Sequence, residues 1–155
     1  MKVRLGDICE VFTDGDWIES KDQSPSGVRL IQTGNIGNGE FLNKATKKRY
    51  ISDTTFKDLK CTEVFADDIL ISRLPDPIGR CCIVPNLPER TITAVDCTIC
   101  RINTSIVNLN YLCCFLQSPK YFNQLEVKIT GTTRKRISRK NLGEVQGLRP
   151  YNGVN

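Results

Sequence analysis

Apolar residues in this 155-residue chain arrive in short runs, each soon closed by glycine, proline or a charge. VRLIQ, KRYIS, DDILISR, CCIVP and TAVDCTICRIN have the length and the β-branched or aromatic content of strands. The first of these predicts a strand over Val28–Gln32, followed by a turn spaced by Gly34, Gly37 and Gly39. VRLGDICEVF reads as one helical turn leading into a strand, and DTTFKDLK as a short helix capped by Ser52 or Asp53. Leu109, Leu112, Cys113 and Leu116 follow the i, i+3, i+4, i+7 spacing of a helix that must break at Pro119. SRKNLGE reads as a helical turn capped by Ser138. Short strands mixed irregularly with a few helices predict an α+β fold. The expectation is a single domain with a mixed, twisted β-sheet, and not a doubly wound parallel sheet. A hydrophobic content of 39% is enough for one core, and no repeat or low-complexity segment divides the chain.

Charge is unevenly placed. Residues 1–120 hold 15 Lys+Arg and 15 Asp+Glu, whereas residues 121–155 hold 7 and 2, so the whole net charge of +5 sits in the last segment. Within ITGTTRKRISRKNLGEV lie Arg134, Lys135, Arg136, Arg139 and Lys140. A polyanion is the natural partner for such a cluster, and nucleic acid is the commonest one; the plainer reading is a solvated basic face. No apolar run is long enough to cross a bilayer, and Asp7 and Glu10 interrupt the first apolar stretch, so a cytoplasmic protein is expected.

Eight cysteines raise the question of disulfides or zinc. The chain has no histidine, and its single CxxC, Cys97 to Cys100, falls in a predicted strand. Residues three apart on a strand face opposite ways, so these two sulfurs should diverge. The adjacent pairs Cys81–Cys82 and Cys113–Cys114 suit neither a zinc knuckle nor an ordinary disulfide. Reduced thiols acting as small apolar side chains are expected, with no metal site.

GxGxxG, Walker A, HExxH, GxSxG and the adenine methyltransferase tetrapeptide are all absent. Without histidine the usual general base at neutral pH is missing. Asp67, Asp68, Asp76 and Asp96 are the carboxylates available for acid–base work, but Asp67–Asp68 stands at a strand entrance, where acidic residues serve as turn groups. No catalytic residue is expected, and a protein of this kind that meets DNA should read it and leave the chemistry to a partner.

Three loops carry residue types suited to that reading. Gln32, Thr33 and Asn35 follow a strand; amide side chains pair with an adenine edge, although Asn35 equally suits a plain turn. In SRLPDPIGR two prolines stiffen a loop bearing Arg73, Asp76 and Arg80. An arginine fork suits guanine and an aspartate suits the cytosine amine; the plainer reading is an Arg–Asp surface pair that merely holds the loop. Thr132 and Thr133, beside Gly131, suit phosphate contact, with Arg134, Lys135, Arg136, Arg139 and Lys140 supplying charge. Lys47, Lys48 and Arg49 are weaker candidates for phosphate. Cations at a helix start oppose its dipole, so something negative must compensate.

LGDICEVFTDGDWIES, RLIQTGNIGNGEF, ILISRLPDPIGRCCIVP, AVDCTICRIN and GTTRKRISRKNLGE stand in this order. As a set they resemble a target-recognition domain from the specificity subunit of type I restriction–modification systems, over nearly the whole chain. The resemblance implies a DNA target-recognition domain over residues 1–145, with residues 146–155 a divergent tail where the spacer helix of such subunits would start. It implies recognition of one half of a bipartite site in double-stranded DNA, by a half or truncated subunit that directs adenine methylation and cleavage by partners. Modification and restriction subunits are the implied partners, and S-adenosylmethionine, ATP and magnesium would belong to them; no cofactor is expected here. With QGLRPYNGVN in place of the family's step into the spacer helix, the resemblance fixes no oligomeric state. Weak, strongly salt-dependent DNA binding is expected of the chain alone. The alternative is a protein-interaction module that occupies modification subunits without productive DNA recognition; an enzyme built on Asp76 and Asp96 is the remaining reading.

Overall fold

A computed structural model describes residues 3–151. Among these residues, eight strands form two four-stranded sheets. The first is antiparallel, in the order β1 (Cys9–Asp14), β8 (Cys97–Ile102), β5 (Ile69–Ser72), β6 (Cys81–Ile83). The second is mixed, in the order β2 (Gln23–Ser24), β4 (Arg49–Ile51), β3 (Val28–Ile31), β7 (Thr91–Thr93), with β3 and β7 parallel. The α+β class is as the sequence predicts, although the strands divide between two sheets where one was expected. TAVDCTICRIN is also not one strand. It turns at Ala94–Asp96, where the Thr93 carbonyl accepts the Asp16 N–H, Ala94 accepts Cys97, and Asp96 accepts Arg73.

The first sheet is buried on both faces. Ile69, Ile71, Cys81, Cys100 and Ile102 face a core completed by the helices, while Leu70, Cys82, Cys97 and Ile99 face a second core shared with Ile31 and Ile36. This is the period of two that a pleated strand imposes. It sends Cys97 and Cys100 to opposite faces, as their spacing predicts. On its outer face the second sheet packs Val28, Leu30, Ile51 and Ile92 against Phe56 of α1 (Asp53–Asp58). Ser52 caps that helix, its Oγ accepting the Thr55 N–H at 3.1 Å.

Pro119 breaks the long helical pattern as expected, separating α2 (Leu109–Phe115) from α3 (Pro119–Glu126), where it occupies the first turn behind the Ser118 cap. Ser138 caps α4 (Arg139–Gly143) through the Asn141 N–H. Leu5 donates its N–H to the Val145 carbonyl at 2.8 Å, so the two ends of the 5–145 segment lie side by side. Beyond Val145, Leu148 is buried in the helical core and Gln146 exchanges two hydrogen bonds with Gln124. The segment up to Tyr151 therefore lies against the domain, and residues 152–155 of the expected tail fall outside the described residues.

Candidate nucleic-acid interface

β1, β3, β5 and β7 all end at one edge of the molecule. Ile31 is level with Thr93, Asp14 with Thr98, and Ser72 with Cys97. The two sheets are stitched together here by the Gly15 N–H to Cys97 and the Asp16 N–H to Thr93. Glycine is required at position 15 because a Cβ would collide with the Thr93 and Ala94 carbonyls. The three loops singled out above all leave from this edge or return to it.

Arg80 joins the first two loops. Its Nε donates to the Ile36 carbonyl at 2.7 Å, Nη2 to Thr33 at 3.0 Å, and Nη1 to Leu74 at 2.8 Å. Only 8% of the residue is exposed. Burial lowers its pKa, with Cys97 and Asp76 opposing that shift. Arg73, 4% exposed, joins the second loop to the third: Nη1 donates to the Ile137 carbonyl at 3.2 Å and Nη2 to Val95 at 2.8 Å. Its Nε lies 3.1 Å from Asp14 Oδ1, an ion pair without the alignment of a hydrogen bond, and Nη2 is 3.9 Å from Asp96. The expectation that these two arginines form a fork for guanine does not fit this geometry, because both guanidinium groups are engaged inside the fold. They hold the loops in place.

Asn35 is likewise internal. Its Oδ1 accepts the Gln32 N–H and its Nδ2 donates to Leu42, which is the plain-turn reading of that residue. Gln32 and Thr33 remain half-buried on the wall of an open groove. Asp76 lies in a shallow depression shared with Lys135. Nearby, Asp16 has its carboxyl raised from the ordinary value, chiefly by burial and against a hydrogen bond from the Thr62 N–H.

The basic segment is a hairpin. Thr130 and Arg136 exchange backbone hydrogen bonds at 2.9 and 3.0 Å, with Gly131 at φ +96° beginning the loop between them. Thr132, Thr133, Arg134, Lys135 and Arg136 are exposed along it, followed by buried Ile137 and then exposed Arg139 and Lys140. Arg136 is 3.5 Å from Asp96 and Arg139 is 3.9 Å from Asp14. Asp14 is thus the compensating charge for a cation at the start of α4. Among the described residues Arg134, Lys135 and Lys140 form no ion pair.

Two of the candidate carboxylates, Asp68 and Asp96, have structural partners. Asp68 is 2% exposed; it accepts the Phe65 N–H and forms a two-bond pair with Arg101 at 2.8 and 2.9 Å. Asp96 faces Arg73 and Arg136. Two features of this region escaped the sequence reading. Lys44 joins Lys47, Lys48 and Arg49 in the groove beside Gln32, and Trp17, 70% exposed, follows Asp16 directly from the stitched edge. A lone tryptophan in a polar loop was the available signal for the second.

The edge gathers three loops and ends in cations that form no ion pair among the described residues, an arrangement suited to a polyanion. Residues 1–146 match the family model described as the type I restriction modification DNA specificity domain, and the chain belongs to that family. No curated protein matches it in sequence. A structure reported for complex assembly and conformational transition of the type I R-M system is similar at 19% identity and TM-score 0.67, over 97% of this chain and 34% of that one. The HsdS subunit from Thermoanaerobacter tengcongensis gives 15% and 0.65, over 94% and 36%. The type I restriction–modification S subunit from M. genitalium gives 13% and 0.58, over 94% and 33%. The likeness is one of fold, and this chain spans about a third of the length of each of these structures.

Proposed function

We propose that this chain reads one half of a bipartite site in double-stranded DNA and catalyses nothing itself, leaving methylation and cleavage to modification and restriction subunits. One observation carries the reading: Arg73 and Arg80 draw three loops, far apart in sequence, onto one edge that ends in Arg134, Lys135 and Lys140. Cations without an ion pair among the described residues suit phosphate; Asp76 stands beside Lys135, and Gln32 and Thr33 lie in the loop joined through Arg80, with the donors and acceptors that base edges require. S-adenosylmethionine, ATP and magnesium belong, on this reading, to the partner subunits, and the setting is cytoplasmic. Among the described residues no helix is long and apolar enough to cross a membrane.

The test is selection of bound duplexes from a random pool, with and without a modification subunit of a type I system. Enrichment of one short motif supports the reading. A pool that stays random while the chain still captures the modification subunit would instead make it an interaction module.

A further inference from the structure

The groove beside Gln32 lies on the second sheet, next to the Arg80-held loop and apart from the C-terminal hairpin. It has a volume of about 590 Å³ and is lined by Lys44, Lys47, Lys48 and Arg49 together with Gln32 and Thr33. No carboxylate lines it. Lys48 has Glu89 at 3.7 Å, Arg49 donates to Gln23, and Lys44 and Lys47 form no ion pair among the described residues. Lys44 takes up the left-handed backbone conformation, φ 48° and ψ 58°, and the short helical turn Ala45–Lys47 follows it.

A second observation lies next to it. Arg29 on β3 is 1% exposed and, among the described residues, has no carboxylate partner. Its two terminal nitrogens donate to the side chain and the carbonyl of Asn43, the residue before Lys44, while Nε has no hydrogen-bond partner. The Phe41 ring stacks at 5.4 Å. A buried guanidinium normally comes with a carboxylate, because an unopposed charge in a low-dielectric interior is costly. Here the fold places one bonded to Asn43, behind four surface cations, and supplies only Glu89 against them. A phosphate in the groove would supply the negative charge that the described residues do not.

We infer that this groove is a track for the phosphodiester backbone of DNA, separate from the hairpin's contacts. The inference rests on the DNA-reading function proposed above. The cations follow one another along residues 44–49, as successive phosphates along a strand require, and the Gln32–Thr33 wall continues into the loop held by Arg80. The two basic elements flank the Arg73–Arg80 loop, so one contacts backbone on each side of the bases being read.

The test measures binding of a fluorescent duplex by the full chain over a salt series. Lys44→Ala/Lys47→Ala and Arg134→Ala/Lys135→Ala are compared with the parent, with thermal melting as the check on folding. Each double variant should flatten the log–log salt slope by about two units, and the combined variant by about four. Ethylation interference should show two groups of sensitive phosphates, of which the Lys44/Lys47 variant loses one. A slope flattened by the hairpin variant but untouched by the groove variant overturns the track and leaves the DNA reading standing. Absence of duplex binding by the parent at low salt overturns both.

Discussion

Arg80 donates from Nε to the Ile36 carbonyl at 2.7 Å, across 44 residues of sequence. With Thr33 and Leu74 as further acceptors, one guanidinium fixes the separation of two loops that no strand pairing joins. Hydrogen bonds from a charged donor contribute about 1.5–3 kcal/mol each, and removing the donor strips the Ile36 carbonyl of its partner while the Thr33, Leu74 and Pro77 carbonyls each keep another donor. Arg80→Ala should therefore cost about 3 kcal/mol in urea unfolding. Arg80→Lys should cost nearly as much, because an ammonium cannot reproduce the fork. A stable Arg80→Ala protein with altered preference at one base pair would return Arg80 to direct base contact.

Arg73 makes the parallel case at the other junction. Its side chain is 5% exposed and its partners Asp14 and Asp96 are about a third exposed, so water already softens the ion pairs. The carbonyls of Ile137 and Val95 lose their donor outright in Arg73→Ala. We expect a loss of about 3 kcal/mol, read as a lower urea midpoint, with faster proteolysis in the Thr130–Arg139 segment once its anchor is gone.

Asp96 holds Arg136 at 3.5 Å and faces the same surface as the unpaired cations. On the proposed reading, DNA competes with that carboxylate. Asp96→Asn removes the repulsion and releases Arg136, and should tighten duplex binding about threefold at low salt, with the gain vanishing at high salt. Weaker binding in Asp96→Asn would mean that the carboxylate itself accepts from a base.

Burial raises the Cys82 thiol from 9.0 to about 12, and the Cys97 thiol to about 11. A folded-state pKa above the unfolded one means that the native chain holds these protons more tightly. Their contribution is complete below about pH 9 and is lost as pH rises toward 11 and 12, at up to about 1.4 kcal/mol per pH unit for each thiol. Urea midpoints should fall steeply over that range. The fall should be shallower in Cys97→Val, which keeps the lysine and tyrosine titrations but lacks the thiol.

What could be read in advance was whatever local chemistry decides. The alternation in ILIS, the divergence of Cys97 from Cys100, the break at Pro119 and the Ser52 and Ser138 caps all depend on neighbours within a few positions. The roles of Arg73 and Arg80 were only partly legible, as holders of their own loop through a surface pair, for the opposite reason. Flanked by proline, aspartate and glycine, they look like surface groups, and their partners are carbonyls from distant loops. The break at Ala94–Asp96 escaped notice because the segment's own apolar character favours a strand, while the acceptors that reward a turn serve Asp16, Cys97 and Arg73. Lys44 carries no mark in sequence; its place depends on Asn43 and a buried Arg29.

The hydrogen bond from Leu5 to Val145 has a consequence for ancestry as well as for stability. A unit whose two junctions touch can be lifted from one gene and spliced into another without stretching its new host. On the proposed reading, each such transfer would carry all three loops of the edge with it.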